Sequence, residues 1–422
     1  MTNVSAAIPG KAAFDELDIS SRQFWTATAD EREMTFAILR KERPISWQRP
    51  VQSTLIPLPP EPGYWAVVRN ADITEVSRNS DVFISSKGVH TEPAPQELIE
   101  ASLSFMAMDG TKHAKIRGLV RSAFTQRAVS QLVESIETNS LRIVRELLEA
   151  GSGCDFVSNC ALKLPLVTIC DMIGVPDSQR HAVYDAADAM VSATDPPFLG
   201  DRNPLDVIVV NGMFLHQIAV EMAQKRRRSP EDDLITNLVQ AEVDGERLSD
   251  AEIGAFMVLM ATAGNDTTRQ TTSLTMHALT QNPEQRNWLM ADFAGRINGA
   301  IEEFVRWSTP VMTFGRIAAR DYELSGQHIA AGDKVVMIYS SGNRDPEVFD
   351  HPEHFDLSRH PNPHVGFGAG GPHFCLGTHL ARMQLRALFG TLLTTLPNIQ
   401  AGEPTYRSGN FIHAVQSMRC MF

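Results

Sequence analysis

The stretch GFGAGGPHFCLG, residues 366–377, closes a glycine-rich loop with a single cysteine, Cys375, at the point where an apolar helical pattern begins. The start of a helix carries partial positive charge and free N–H groups, which stabilise a thiolate, the form of cysteine that binds iron. Glycines let the loop backbone approach a flat cofactor closely. The stretch therefore predicts that Cys375 is a metal ligand.

The same glycines also fit a different kind of site. Gly366, Gly368 and Gly371 match the G-x-G-x-x-G spelling of a dinucleotide-binding turn. Such a turn follows a buried strand, and an acid about 20 residues later binds the ribose. Here residues 360–364 read HPNPH, and residues 374–402 contain no Asp or Glu. The context therefore disfavours a dinucleotide site.

The composition limits the class of protein. The chain has 422 residues, of which 43% are hydrophobic, and a formal net charge of -12. This acidic balance argues against a nucleic-acid binder, which needs a concentrated basic surface. The basic run at residues 225–228 is interpreted as a solvated helix end before the cap of the next helix. No linker or repeat is visible, so we expect a loosely tethered segment at residues 1–20 and one domain at residues 21–422.

The remaining cysteines indicate a reducing compartment. Cys154, Cys160, Cys170 and Cys420 form no Cys-x-x-Cys pair, and no signal-peptide pattern is visible, so we expect reduced, structural thiols. No apolar run reaches the roughly 18 residues of a membrane span. The expectation is a cytoplasmic protein without a membrane span.

Hydrophobic periodicity predicts a mainly α protein with small β-sheets. Helical spacing recurs over residues 130–150, 162–173, 214–224 and 250–281, and strand patterns occur at residues 64–68, 81–85 and 321–339.

The longest predicted helix contains a segment unsuited to a helix interior. Residues 263–268 read AGNDTT. Glycine costs up to about 1 kcal/mol inside a helix, and threonine hydroxyls compete for the carbonyls of the preceding turn. Such a conflict often marks a functional opening in the hydrogen-bond ladder. The alternative is close packing at Gly264 with surface threonines.

A second motif is an acid and a guanidinium on one helix face. Glu303 and Arg306 are three residues apart, as are Glu75 and Arg78. Most such pairs are surface ion pairs worth under about 1 kcal/mol. Order along the chain favours the later copy, because it follows the AGNDTT segment and precedes residues 352–359 and the Cys375 loop.

Taken together in this order, these motifs resemble a soluble bacterial cytochrome P-450, a haem-thiolate monooxygenase, over nearly the whole chain. The resemblance implies one large α+β domain around a buried haem b, with Cys375 as the iron ligand. It implies that Asp266 and Thr267 are catalytic, handling protons and dioxygen, and that Glu303, Arg306 and Arg359 are structural.

One departure from the family pattern concerns Phe367. It lies eight residues before Cys375 rather than the usual seven, which implies an extra loop glycine. By resemblance, this longer loop occurs in actinobacterial members that act on methyl-branched lipids and steroid side chains. Phe367 is expected to contact the haem.

The resemblance also implies partners for the haem propionates. His113 and Arg117 are four residues apart, hence on one helix face, and both match propionate-binding positions, as do Arg316 and His373. The alternative for the first pair is an ordinary solvated basic helix.

No flavin or iron–sulfur segment accompanies the domain, so the implied electron donors are a separate ferredoxin and its reductase. Candidates for a basic docking face are Lys112, Lys115, Arg121, Arg127, His379, Arg382 and Arg386. The alternative is scattered surface charge.

The candidate substrate pocket is apolar, although each member could equally be plain core. Its members are Leu103, Phe105, Leu259, Met260, Ala263, Val311, Met312, Phe314, Phe411 and Ile412.

Resemblance in residues 241–249, in the cysteine loop and in residues 411–413 implies terminal (omega) hydroxylation of a methyl-branched fatty acid or isoprenoid. Hydroxylation of a steroid side chain is the first alternative. A peroxide-driven enzyme is a second, disfavoured by Asp266 and Thr267, and a non-enzymatic haem carrier or gas sensor is a third.

Overall fold

The computed structural model describes residues 13–51, 61–121, 124, 130, 132–193, 196–243 and 245–422. Helices dominate, as predicted. They are α1 (Arg22–Thr26), α2 (Ala29–Glu42), α3 (Asn70–Arg78), α4 (Gln96–Leu103), α5 (Gly110–Arg121), α6 (Val133–Ala150), α7 (Lys163–Ile173), α8 (Asp177–Ser192), α9 (Pro196–Leu199), α10 (Pro204–Arg228), α11 (Leu234–Gln240), α12 (Asp250–Leu259), α13 (Asn265–Gln281), α14 (Pro283–Ala291), α15 (Phe293–Ser308), α16 (Tyr339–Gly342) and α17 (Thr378–Thr395).

The strands form one larger sheet and several two-stranded ladders. The five-stranded sheet has the order β1-β2-β9-β6-β3, in which β2 and β9 run parallel and the other neighbours antiparallel. The pairs are β4 with β5, β7 with β8, β10 with β13, and β11 with β12. The bounds are β1 (Ile45–Gln48), β2 (Tyr64–Val67), β3 (Phe83–Ile84), β4 (Glu242–Val243), β5 (Glu246–Arg247), β6 (Thr313–Ala318), β7 (Tyr322–Leu324), β8 (Gln327–Ile329), β9 (Lys334–Ile338), β10 (Gln400–Ala401), β11 (Thr405–Tyr406), β12 (Val415–Ser417) and β13 (Cys420–Met421).

The long helix predicted at residues 250–281 is present but is not uniform. It begins at a capping box in which Ser249 and Glu252 exchange backbone and side-chain hydrogen bonds. Between α12 and α13 lies a π-helical turn, Met260–Gly264. The interruption therefore begins three residues before the AGNDTT segment that predicted it.

The core surrounds α13. Side chains of α13, α15 and α17 belong to the largest hydrophobic cluster, and a second cluster packs against the five-stranded sheet. Burying a side chain such as Leu279 or Phe304 contributes about 1.5 to 3 kcal/mol. α13 is consequently a buried scaffold whose residues near its N-terminal end are positioned by the rest of the molecule.

Helix α10 differs from its prediction in two ways. Among the described residues it is the one helix long and apolar enough by composition to cross a membrane, and 28% of its most apolar window is buried. The sequence reading missed it because polar, uncharged residues such as Asn211 and Gln217 interrupt the apolar run. The basic end of α10 is also not simply solvated, since Arg226 is buried and forms ion pairs with Glu231 and Asp233.

The expected loosely tethered segment at residues 1–20 is described from residue 13 onward. The backbone N–H of Asp15 donates to the carbonyl of Trp47 at 2.8 Å, and Ile19 is fully buried. Residues 13–20 thus pack onto the folded chain because Ile19 joins the cluster around Trp25.

Candidate active site

The loop that carries Cys375 takes a conformation that only its glycines allow. Gly368, Gly370 and Gly371 have φ of +90°, +87° and +78°, which side-chain-bearing residues rarely adopt. A Cβ on Gly371 would lie 2.5 Å from the carbonyl oxygen of Ser77. The backbone N–H of Cys375 donates to the carbonyl of Phe367 at 2.9 Å. The loop therefore fixes Cys375 immediately before α17.

The thiol of Cys375 is largely enclosed. Its side chain keeps accessible surface although protein atoms pack around it on most sides. Burial raises the pKa of the thiol, whereas a hydrogen bond from the backbone N–H of Gly377 and the charges of Arg117 and Arg382 lower it. A cationic metal would add to these stabilising charges.

Glu303 and Arg306 form a closed, buried pair on α15. Both side chains are 0% exposed, and the guanidinium contacts both carboxylate oxygens at 2.6 and 2.7 Å. The other N–H groups of Arg306 donate to the carbonyls of Asn343, Pro352 and His354. All five donors of the guanidinium are therefore used.

Arg359, which the resemblance implied as a third member, also lies beside Glu303. Its Nε lies 3.3 Å from Oε2 of Glu303, and its terminal nitrogens donate to the carbonyls of Asp350, His351 and His354. Glu303 also accepts from the backbone N–H of Asp356 and from the amide of Asn362. We call Glu303, Arg306 and Arg359 the triad.

Asn343 is a further contributor that sequence reasoning missed. Its side chain donates to Thr309 Oγ1 at 2.9 Å and accepts from the backbone N–H of Val365 at 2.8 Å, while its carbonyl accepts from Arg306. A single asparagine 37 residues from Arg306 carries no motif, so no sequence signal identifies it.

The four groups expected to bind the propionates, His113, Arg117, Arg316 and His373, lie together. The rings of His113 and His373 are 4.2 Å apart, and the pKa of His373 is lowered to about 2 by burial and by Arg316, His113 and Arg117. Burial lowers the pKa of Arg316 as well. Asp109 is the nearby acid, 4.0 Å from His373, and its carboxylate already accepts from the N–H groups of residues 85 and 86.

This cationic cluster fits the carboxylates of a haem. Nε2 of His113 is buried and has no hydrogen-bond partner among the described residues, which leaves a donor or acceptor directed at a missing group. Burial lowers the pKa values of His113 and His373, and the positive charges of Arg117 and Arg316 lower them further. An anionic group with several acceptors, such as a pair of propionates, would satisfy both features.

Across the interior, the π-helical turn exposes helix backbone to a cavity. Ala263 and Gly264 are accessible although they lie mid-helix, and the Thr267 hydroxyl donates to the carbonyl of Ala263 at 2.8 Å. A Cβ on Gly264 would lie 3.3 Å from Ile169, so close packing at this glycine also holds. The opening and the tight packing occur together.

Asp266 is buried and anchored by residues that the sequence reading did not single out. Arg269 Nη2 lies 2.7 Å from Asp266 Oδ1, and the amide of Gln270 donates to the same oxygen at 2.8 Å. Arg269 also pairs with Asp188 at 2.9 Å. Their spacing of three and four residues from Asp266 was a usable signal.

A cavity of about 580 Å³ adjoins Ala263 and Thr267. Of the predicted pocket residues, Ala263, Val311, Phe314, Phe411 and Ile412 line it. Phe105, Leu259, Met260 and Met312 lie in hydrophobic clusters instead, and the side chain of Leu103 lies outside the described residues.

The cavity wall also contains residues that the sequence did not indicate. Leu205 and Ile208 reach it from α10, and Val258 from α12. His90 and Glu92 add polar groups to the wall. Burial and the charge of Lys334 lower the pKa of His90 to about 4. Burial raises the pKa of Glu92, and the charge of Lys334 opposes that rise. These residues are distant in sequence and become neighbours only in the fold.

Comparison with known proteins gives concordant matches. The family profile described as cytochrome P450 matches residues 182–294 and 296–397. A methyl-branched lipid omega-hydroxylase of Mycobacterium tuberculosis is 36% identical over 420 residues, covering 99% of this chain and 97% of that protein. A steroid C26-monooxygenase of Rhodococcus jostii is 37% identical over 396 residues, covering 91% and 80%. A Mycobacterium marinum cytochrome P450 solved with pseudoionone is 57% identical, with a TM-score of 0.94 over 98% of this chain and 100% of that one.

Proposed function

This chain belongs to the cytochrome P450 family and is a haem-dependent monooxygenase, and from that premise we propose that it hydroxylates a methyl-branched fatty acid or isoprenoid at its terminal carbon. The observation that carries the proposal is the cavity beside Ala263 and Thr267, whose walls are mostly aliphatic and aromatic. An apolar chain gains about 0.8 kcal/mol for each CH₂ group transferred from water into such a site.

The names of the relatives support this choice of substrate. One relative is named for a methyl-branched lipid and its omega carbon, and the structure with a TM-score of 0.94 holds pseudoionone, a methyl-branched ketone. A cavity of about 580 Å³ lies within the range usual for sites that enclose drug-sized ligands. These points favour a branched chain of moderate length.

The haem would be held between two sets of residues. Cys375 would bind the iron, Phe367 would lie against the ring, and His113, Arg117, Arg316 and His373 would bind the propionates. When bound, haem b supplies the activation of O₂, so that with two electrons and two protons one oxygen atom enters a C–H bond as a hydroxyl group and the other leaves as water.

Thr267 and Asp266 would manage protons at the cavity wall. The Thr267 hydroxyl donates its hydrogen bond to the carbonyl of Ala263. The hydroxyl oxygen of Thr267 is therefore available to accept a hydrogen bond from water in the cavity. Asp266 is held by Arg269 and Gln270, and it lines the same cavity as Thr267. The triad would act through structure alone, fixing the polypeptide ahead of Cys375.

Electrons must come from other proteins, and we propose a ferredoxin with its reductase, acting in the cytoplasm. Of the candidate docking residues, Lys115 and Arg382 form ion pairs with Glu246 and Glu302. Arg127 lies outside the described residues. The exposed candidates are Lys112, Arg121, His379 and Arg386. An acidic ferredoxin would be attracted to this surface.

A steroid side chain is the second candidate substrate, favoured by the relative named as a steroid C26-monooxygenase. That substrate also ends in a methyl-branched chain, so the same cavity wall beside Ala263 would surround its terminus. The two candidate substrates differ in the size of the group that the part of the cavity away from Ala263 must enclose.

The test is a spectral titration with matched ligands. Haem-loaded protein is titrated with methyl-branched and straight-chain fatty acids of equal carbon number, with pseudoionone and with a sterol, and the ferric Soret band is followed. We expect the branched compounds to shift the band at the lowest concentrations, and turnover with ferredoxin, reductase and O₂ to give a terminal alcohol. Equal binding of straight chains, preference for the sterol, or faster turnover with peroxide alone would contradict the proposal.

A further inference from the structure

An exposed loop just ahead of Arg359 brings together two imidazoles and a carboxylate. The ligand atoms of His351, Glu353 and His354 all lie within 4.8 Å of one another. Nδ1 of His351 and Nε2 of His354 lie 3.4 and 3.6 Å from the same oxygen, Oε1 of Glu353. The two rings are stacked, with centroids 5.3 Å apart.

These separations suit a tetrahedral metal ion. Zinc binds imidazole nitrogen and carboxylate oxygen at about 2.0 to 2.2 Å, so adjacent ligand atoms around it lie about 3.3 to 3.5 Å apart. Both nitrogen–oxygen separations, 3.4 and 3.6 Å, are therefore already within a few tenths of an ångström of that spacing. Exposed side chains can make such shifts by small rotations.

We propose that His351, Glu353 and His354 form a surface site for a divalent transition-metal ion of the Zn²⁺ type. Two imidazoles and one carboxylate favour Zn²⁺, Ni²⁺ or Cu²⁺ over Mg²⁺ and Ca²⁺, which prefer oxygen ligands. Three protein ligands leave one position of a tetrahedron for water. The site is separate from Cys375 and the haem.

A further carboxylate lies beside one of the ligands. Nε2 of His351 lies 3.8 Å from Oδ1 of Asp350, while Nδ1 of the same ring faces Glu353. Metal-bound histidines usually donate their other ring N–H to a carboxylate, which fixes the tautomer and strengthens the ligand. Asp350 lies close to that position, although 3.8 Å is beyond hydrogen-bond distance.

The backbone of the loop is held in place before any ion binds. Arg359 donates to the carbonyls of Asp350 and His351, and Arg306 donates to those of Pro352 and His354. His351 itself has a φ of +46°, a conformation that this hydrogen bonding maintains. The two arginines also bind Glu303, so an ion on the loop would stabilise the outer boundary of the triad.

The test measures metal binding directly. Haem-loaded protein without a polyhistidine tag is titrated with ZnCl₂ by calorimetry in a non-chelating buffer, and thermal unfolding is recorded with and without the ion. We expect one Zn²⁺ per chain at micromolar concentration and a higher unfolding temperature. His351→Ala and His354→Ala should each weaken binding at least tenfold and abolish the thermal shift, and Asp350→Asn should weaken it by a smaller factor.

The matched control is His328→Ala, since His328 is equally exposed but has a single carboxylate, Asp321, at 4.0 Å. It should leave the affinity unchanged. Retained binding in both histidine variants, a loss in the control variant, or equal competition by Mg²⁺ would overturn the proposal. The haem absorbance of each variant reports folding, and none of these readouts depends on the identity of the substrate.

Discussion

In the triad the charged side chains are closed into one hydrogen-bond network, whereas at residues 260–267 the hydrogen bonding of a helix is interrupted. Glu303 and Arg306 are 0% exposed, and every donor of Arg306 is paired. Ala263 and Thr267 belong to a buried helix, yet both line a cavity, and Gly264 beside them is accessible. Polar groups are therefore fully paired with one another in the triad, whereas at residues 260–267 they remain accessible from the cavity.

The physical difference lies in what each region can exchange. A satisfied, buried ion pair cannot release a partner without leaving a desolvated charge, which makes it a rigid support. A π-helical turn leaves carbonyls and hydroxyls able to change partners, which suits a place where water, oxygen and substrate must come and go. Stability is concentrated in the first region and exchange in the second.

Removing the charge of Glu303 should have the largest effect. Glu303→Gln leaves the guanidinium of Arg306 buried without its counter-charge, so we expect a loss of about 3 to 5 kcal/mol in the free energy of unfolding. Haem content should fall as well, because the polypeptide leading to Cys375 loses its support. Denaturant unfolding and the carbon-monoxide difference spectrum measure the two effects.

Glu75→Gln is the matched control, since Glu75 has the same spacing to Arg78 but is exposed. Its effect on stability should stay within about 0.5 kcal/mol. Similar losses in the free energy of unfolding in both variants would mean that the triad is not the more rigid of the two regions.

Thr267→Ala should leave the fold intact and impair chemistry. The variant removes a hydroxyl that faces the cavity, so we expect product formed per electron consumed to fall by roughly 100-fold, with peroxide released instead. Thr271→Ala is the control, because Thr271 makes the same kind of bond to the carbonyl four residues earlier but is buried. Equal losses in both variants would assign the effect to helix packing.

Residues with a motif could be predicted from the sequence, and residues defined by packing could not. Cys375, Glu303 and Arg306 carry recognisable spacing and order, and the structure brings Arg359 to the same carboxylate. Asn343 makes three hydrogen bonds in the same region but has no pattern around it. The order of motifs along the sequence indicates which residues take part in chemistry. A single supporting residue such as Asn343 can be identified only when the fold shows which loops lie next to each other.

The same limit applies to the fold and to the cavity. Periodicity predicted the mainly helical class and located the helices within residues 130–150, 162–173 and 250–281, because it records which face is buried. It could not tell a core face from a cavity face, since both are apolar. Val311 and Met312 are adjacent and were predicted alike, yet Val311 lines the cavity and Met312 lies in the core.

Val311→Ala uses that distinction to test the open region. Removing two methyl groups from the cavity wall should raise the dissociation constant of a branched ligand roughly three- to tenfold. Val335→Ala is the control, since Val335 is fully buried in the sheet. Val335→Ala should lower stability without changing the spectral dissociation constant. A changed dissociation constant in both variants would contradict the distinction between cavity and core residues.

The smallest expected effect concerns acid stability and the cavity wall. The pKa of His90 is lowered to about 4 by burial and by Lys334, whereas in the unfolded chain it is about 6.5. Between these values the unfolded state binds a proton that the folded state does not, so stability falls as pH falls from 6.5 toward 4.

In His90→Gln the unfolding temperature should therefore decline less steeply over this range, while the exposed control His181→Gln should follow the parent protein. Because His413 also has a pKa lowered to about 4, the flattening should be partial. Parallel curves for His90→Gln and the parent protein would show that the acid sensitivity comes from groups other than His90.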